Sequence, residues 1–87
     1  MSYNYAAQKI HLFTDDGFKM FIAMRDNAFK LCAAAGVVRL QEMMRGVSGD
    51  SWTMLACADL MVERGDLVEI PQLEIAGQHR VFYRPFS

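Results

Sequence analysis

Eighty-seven residues, 53% of them hydrophobic and 22% charged, make a chain too apolar for disorder and too evenly punctuated by charge for a membrane span. A core of this size hides only roughly 60–65% of the surface that the unfolded chain exposes, so the length holds one domain and no second. Nine basic and ten acidic residues leave a net charge of −1, which excludes a bulk positive field that would draw the whole molecule onto nucleic acid or an anionic membrane.

Residues 1–13 are polar and aromatic, and a brief alternation from Lys9 to Phe13 predicts an edge strand or a pinned arm. From Thr14 the pattern changes. Thr14-Asp15-Asp16 is an N-cap cluster, and Phe18, Phe21, Ile22, Ala28, Phe29 and Cys32 then recur at helical spacing, so a helix of about 20 residues follows and stops at Gly36. Met20, Met24 and Leu31 widen its apolar stripe. Either the helix is gripped from two sides or it breaks near Asp26 and Asn27. Val37 and Val38 begin a short connector, and residues 39–45 form a second helix with Leu40, Met43 and Met44 directed inward. A tight turn at 46–49 leads to a third helix from about Ser51 to Arg64, capped by Ser48 or Asp50 and ended by Gly65 in the left-handed C′ position. Leu67–Ile70 is strand-like, Pro71 interrupts it, and residues 72–75 resume it. After a turn at 76–79, residues 80–84 make a second strand, so the last third of the chain reads as a hairpin.

Chemistry-bearing motifs are few. Cys32 and Cys57 are isolated in apolar runs, which predicts two small buried hydrophobes rather than a zinc site or a redox pair. His11 and His79 have no nucleophile or carboxylate at a catalytic spacing, and there is no phosphate loop, metal-binding helix motif, nucleophile elbow or internal repeat. The expectation is a non-enzymatic protein without cofactor, metal or membrane contact. The N-terminus carries no basic start followed by an apolar run, so a cytoplasmic location is expected. The seven methionines fill the core or, alternatively, form an adaptable binding surface.

The most diagnostic stretch runs from Leu60 to Ile70 (LMVERGDLVEI) and continues in His79–Arg84 (HRVFYR). It looks like the end of a recognition helix entering the two strands of a wing. From about Asp15 to Pro85 the order of elements resembles the winged helix-turn-helix family, apart from an extra Asp66 before the first apolar wing residue. The resemblance implies an α+β fold in which residues 14–87 form a three-helix core with a C-terminal β-hairpin wing. It also implies a transcriptional regulator whose third helix enters the major groove of double-stranded DNA. On that expectation Ser51, Trp52 and Thr53 face the groove, and Arg39, Arg45 and Arg80 hold phosphates, with Gln78 and His79 in support.

The residues themselves qualify that role. With Met54, Ala58 and Met61 inward, the outward face of the third helix carries Ser51, Trp52, Leu55, Ala56 and Asp59, and none of these is the Arg, Lys, Asn or Gln that direct base readout uses. Residues 1–45 hold six basic and four acidic groups, whereas residues 46–87 hold three basic and six acidic, so the half that should face DNA is acidic. The alternative is a protein-interaction module, in which Trp52, Leu55, Ala56 and Asp59 bind a partner or a second copy. Each group also has a structural reading: Trp52 as a core cap, Arg39 and Arg45 as solvated helix charges, and Arg80 and Arg84 paired across the hairpin with Glu69 or Glu74.

Overall fold

The computed structural model describes residues 2–71 and 80–85. They form an α+β arrangement of four helices and a three-stranded antiparallel sheet around one apolar core. The strand expected over residues 72–75 and the turn expected over 76–79, with Glu74, Gln78 and His79, lie outside the described residues.

The expected edge strand near the N-terminus is corrected: the segment is helical. Helix α1 (Tyr5–Gln8) is followed by a 3-10 turn over Lys9–Phe13. Asn4 caps α1 by accepting the Ala7 amide at 3.2 Å, and Ala6, Ala7 and Gln8 are good helix formers, so a turn nucleates before the alternation can act. Only Leu12 of this segment is buried.

Helix α2 (Asp15–Ala35) begins at the Thr14 cap, whose hydroxyl oxygen accepts the Gly17 amide at 3.0 Å. Position 17 has no room for a side chain, since a Cβ there would stand 1.9 Å from the His11 carbonyl oxygen. The 3-10 turn therefore rests directly on the first turn of α2. Gly36, at φ 85°, ends the helix by donating its amide to the Cys32 carbonyl. The break expected near Asp26 and Asn27 does not occur. Asn27 turns its amide away from its own backbone and donates to the carbonyls of Met43 and Arg45, at 2.9 and 3.1 Å, tying α2 to the following turn.

The connector at Val37 and Val38 becomes strand β1 (Val38–Arg39), and α3 (Leu40–Met43) is shorter than the span of residues 39–45 suggests. Helix α4 (Ser51–Arg64) matches its expected bounds, with Asp50 as the cap. At its end the Gly65 amide bonds the Val62 carbonyl at 3.1 Å and the Asp66 amide bonds Met61 at 2.8 Å, a Schellman pair that absorbs the extra Asp66 and delivers Leu67 into the core. Strands β2 (Val68–Glu69) and β3 (Val81–Tyr83) follow, and the sheet order is β1-β3-β2, with Val38 opposite Phe82 and Val68 opposite Tyr83.

Phe21, Met24, Leu40, Met43, Met61 and Phe82 are the largest side chains sealed between the helices and the sheet, each contributing about 2–3 kcal/mol by leaving water. Cys32 and Cys57 are free and buried among them. Burial pushes both thiols up, Cys57 to about 12. No helix among the described residues is long and apolar enough to cross a membrane, and no group of three or more His, Cys, Asp or Glu side chains among them is placed to hold a metal ion.

Candidate functional site

The residues that the sequence assigns to DNA or to a protein partner converge on α4, α3 and the sheet, but many are engaged within the chain. At the start of α4 the Asp50 carboxylate accepts both the amide and the hydroxyl of Thr53, at 3.0 and 3.2 Å, so the Thr53 hydroxyl is committed to the cap. Ser51 is exposed. Trp52 and Leu55 are half-buried, and Leu55 packs against the core whereas Trp52 does not belong to it. Ala56 is fully buried. This corrects its expected place on an exposed apolar patch: the N-terminal arm covers that side of α4.

Arg80 departs furthest from the expected phosphate ligand. Its Nε donates to Glu69 at 2.9 Å, while Nη2 donates to Glu69 and to Asp59, both at 2.7 Å. Its side chain keeps only 15% of its exposure, against 20% for Asp59 and 33% for Glu69. The pairing with Glu69 follows the cross-hairpin reading, and Asp59 adds α4 to it. The hydrogen bonds from Arg80 to these carboxylates hold its guanidinium even more firmly protonated than usual, against the opposing effect of burial.

Asp59 is likewise no free rim group, because its second oxygen accepts the Tyr3 hydroxyl at 2.5 Å. One turn further along α4, Glu63 accepts the Tyr5 hydroxyl at 2.7 Å and the Lys9 ammonium at 2.6 Å. Burial, reinforced by these carboxylate bonds, raises both phenols well above their ordinary value, and the bonds from Lys9 and Tyr5 lower the exposed Glu63. Tyr3, Tyr5 and Lys9 thus bolt the arm onto one edge of α4, while Arg80 bolts the sheet onto the same helix.

Arg39 and Arg45 remain exposed at the two ends of α3, and neither forms an ion pair among the described residues. The Arg39 amide donates to Glu42 at 2.9 Å, and the Arg45 carbonyl accepts from Asn27, so both backbones are fixed while the guanidinium groups face water. Apart from them, a shallow groove of about 410 Å³ opens between the 3-10 turn and the starts of α2 and α4, lined among others by His11, Asp16, Met20, Asp50 and Thr53. Its open walls hold two carboxylates and one imidazole, and its two threonine hydroxyls are engaged in the caps of α2 and α4.

Sequence reasoning passed over Tyr3, Tyr5 and Asn27. Tyr3 and Tyr5 alternate in a segment with no apolar period, and Asn27 reads as a helix breaker. A polar side chain on the core-facing flank of a helix was the available signal for Asn27. The chain matches no family model, no curated protein and no solved structure.

Proposed function

We propose that this chain is a winged-helix module that binds protein, using the α4 surface around Trp52 and Leu55. Topology supports the winged-helix arrangement: a strand between the first two helices of a three-helix unit pairs with the return strand of a C-terminal antiparallel pair, in the order β1-β3-β2. The observation that carries the choice of protein over DNA is the engagement of Arg80. A guanidinium already bidentate to Glu69 and bonded to Asp59 has little left for a phosphate. From Ser51 to Glu63, α4 offers no Arg, Lys, Asn or Gln for base edges, and its outer face sets a half-buried indole and Leu55 near the capping carboxylate of Asp50. A partly exposed tryptophan with an apolar neighbour and the exposed Asp50 at its edge suits a protein partner carrying a basic side chain.

DNA binding is the second reading, and one observation favours it: Arg39 and Arg45 stand in solvent without an acidic partner among the described residues. Titration of a labelled generic duplex with the full chain at about 50 mM salt separates the two, since non-specific phosphate binding is visible there at tens of micromolar protein. The protein-binding reading expects no salt-sensitive association. Binding that weakens steeply with salt and is lost in Arg39→Ala/Arg45→Ala would overturn it. A photo-crosslinking residue at Leu55 is then expected to trap one defined protein in the producing cell, and Trp52→Ala to abolish that adduct without altering the circular dichroism.

A further inference from the structure

Helix α2 carries a second surface that the α4 site does not use. Phe18 is 58% exposed, and Ile22, Arg25 and Phe29 follow it at steps of four, three and four residues, which places all four on one flank of the 21-residue helix. Ile22 and Phe29 are half-buried at the core's edge and keep one side in solvent. Phe13 and Phe18 occupy the positions immediately before the Thr14 cap and four residues after it, the spacing of a hydrophobic staple, yet Phe13 is 74% and neighbouring Ile10 68% exposed. Large apolar side chains grouped this densely on the outside of a small domain mark a contact surface.

The charges along this stripe are polarised. Asp15 and Asp16 stand in solvent at its N-terminal end, with one exposed cation, Lys19, a turn further on. At the other end the Arg84 guanidinium lies 3.8 Å from the centroid of the Phe29 ring, held there as an exposed cation, with Lys30 also exposed beside it. Midway, the Nε of Arg25 is buried with no hydrogen-bond partner among the described residues, and the same guanidinium reaches its neighbour Asp26 only at 3.9 Å. A surface that is acidic at one end, cationic at the other and apolar between is complementary to itself when turned end for end. That is the symmetry of an isologous contact.

From this juxtaposition we infer that α2 docks antiparallel on α2 of a second copy of the chain, about a two-fold axis near Ile22 and Arg25. Phe18 of one copy then packs against Phe29 of the other, about 16 Å along the helix from its own Phe29. Asp15 meets Arg84. The surface lies on α2 rather than α4, so this inference stands whether or not the α4 reading does.

Sedimentation velocity of the full chain from about 5 to about 300 µM tests it, a range that brackets the dissociation constants of modest interfaces. The expected result is a concentration-dependent monomer–dimer equilibrium weakened at least tenfold by Phe18→Ser, with unchanged circular dichroism and no effect of Leu55→Asp. Orientation is read by oxidation: Ile22→Cys, beside the axis, is expected to form a disulfide-linked dimer, and Phe18→Cys, whose counterpart is Phe29, is not. A wild-type chain that stays monomeric throughout overturns the inference. So does a dimer that Phe18→Ser leaves intact, or efficient self-crosslinking at position 18 with none at 22.

Discussion

Replacing Arg80 by Leu tests whether the cation joining α4 to the sheet is structural. The substitution removes three charge-assisted hydrogen bonds of 2.7–2.9 Å and leaves Asp59 and Glu69 facing one another without the cation between them. Breaking a fully buried pair by removing one partner costs about 3–5 kcal/mol. Here the three side chains retain 15–33% of their exposure, so water re-enters and the expected loss falls to about 2–3 kcal/mol. For a domain of this size that lowers Tm by roughly 10–20 °C. Thermal and urea unfolding followed by circular dichroism measure it directly. The cause is isolated by adding Asp59→Asn and Glu69→Gln to Arg80→Leu, which removes the facing carboxylates and is expected to recover about half of the loss. A stability change below about 0.5 kcal/mol for Arg80→Leu, accompanied by weaker binding to DNA, would refute the reasoning and return Arg80 to the role of a phosphate ligand.

Three further outcomes follow from the packing. Asn27→Leu strands the carbonyls of Met43 and Arg45 and is expected to cost about 2 kcal/mol in urea unfolding, whereas equal stability would show that water replaces the amide without loss. Gly17→Ala drives a methyl group into the His11 carbonyl and is expected to cost about 1–3 kcal/mol while loosening the arm, seen as faster amide exchange in residues 5–13; unchanged exchange would refute the close approach. The Cys57 thiol, raised from 9.0 to about 12 in the fold, contributes stability that is fully present below pH 9 and is lost as pH rises from 9 toward 12, because only the unfolded chain then ionises it. Between about pH 8.5 and 10 this removes about 1 kcal/mol, and Cys57→Ala is expected to flatten the decline; parallel slopes in the two proteins would refute the assignment.

The elements governed by local signals were legible. Thr14 and Asp50 as caps, Gly36 and Gly65 as left-handed stops, and the apolar spacing of α2 and α4 each act within a few residues, and the structure places them where those rules put them. The N-terminal segment was not. Its alternation from Lys9 to Phe13 is five residues long, too short to distinguish a period of two from the three-residue repeat of a 3-10 turn, and the deciding cap, Asn4, lies outside it. Asn27 misled for a related reason: propensity counts its competition with the helix backbone, and only the position of α3 reveals that its amide has better acceptors elsewhere.

The candidate site was legible in composition and only partly legible in pairing. Counting charge along residues 46–87 rightly identifies an acidic half, but the count treats Arg80 as available, and the structure sets it between carboxylates 11 and 21 residues away. The Glu69 pairing is the one the hairpin reading offers, whereas Asp59 on α4 shares no helical or strand period with Arg80, so no spacing rule in the sequence links those two. The consequence extends past one arginine. When a cation is bonded to two carboxylates it neutralises only one of them, so the field of α4 and the sheet stays negative while the positive group best placed to approach a phosphate is withdrawn. Of the cations assigned to phosphates, the two that stay exposed, Arg39 and Arg45, flank α3, and the arm anchored through Tyr3, Tyr5 and Lys9 occupies the flank of α4 at Asp59 and Glu63. On the reading proposed above, contact by this helix therefore falls to the strip around Trp52 and Leu55 rather than to its acidic flank.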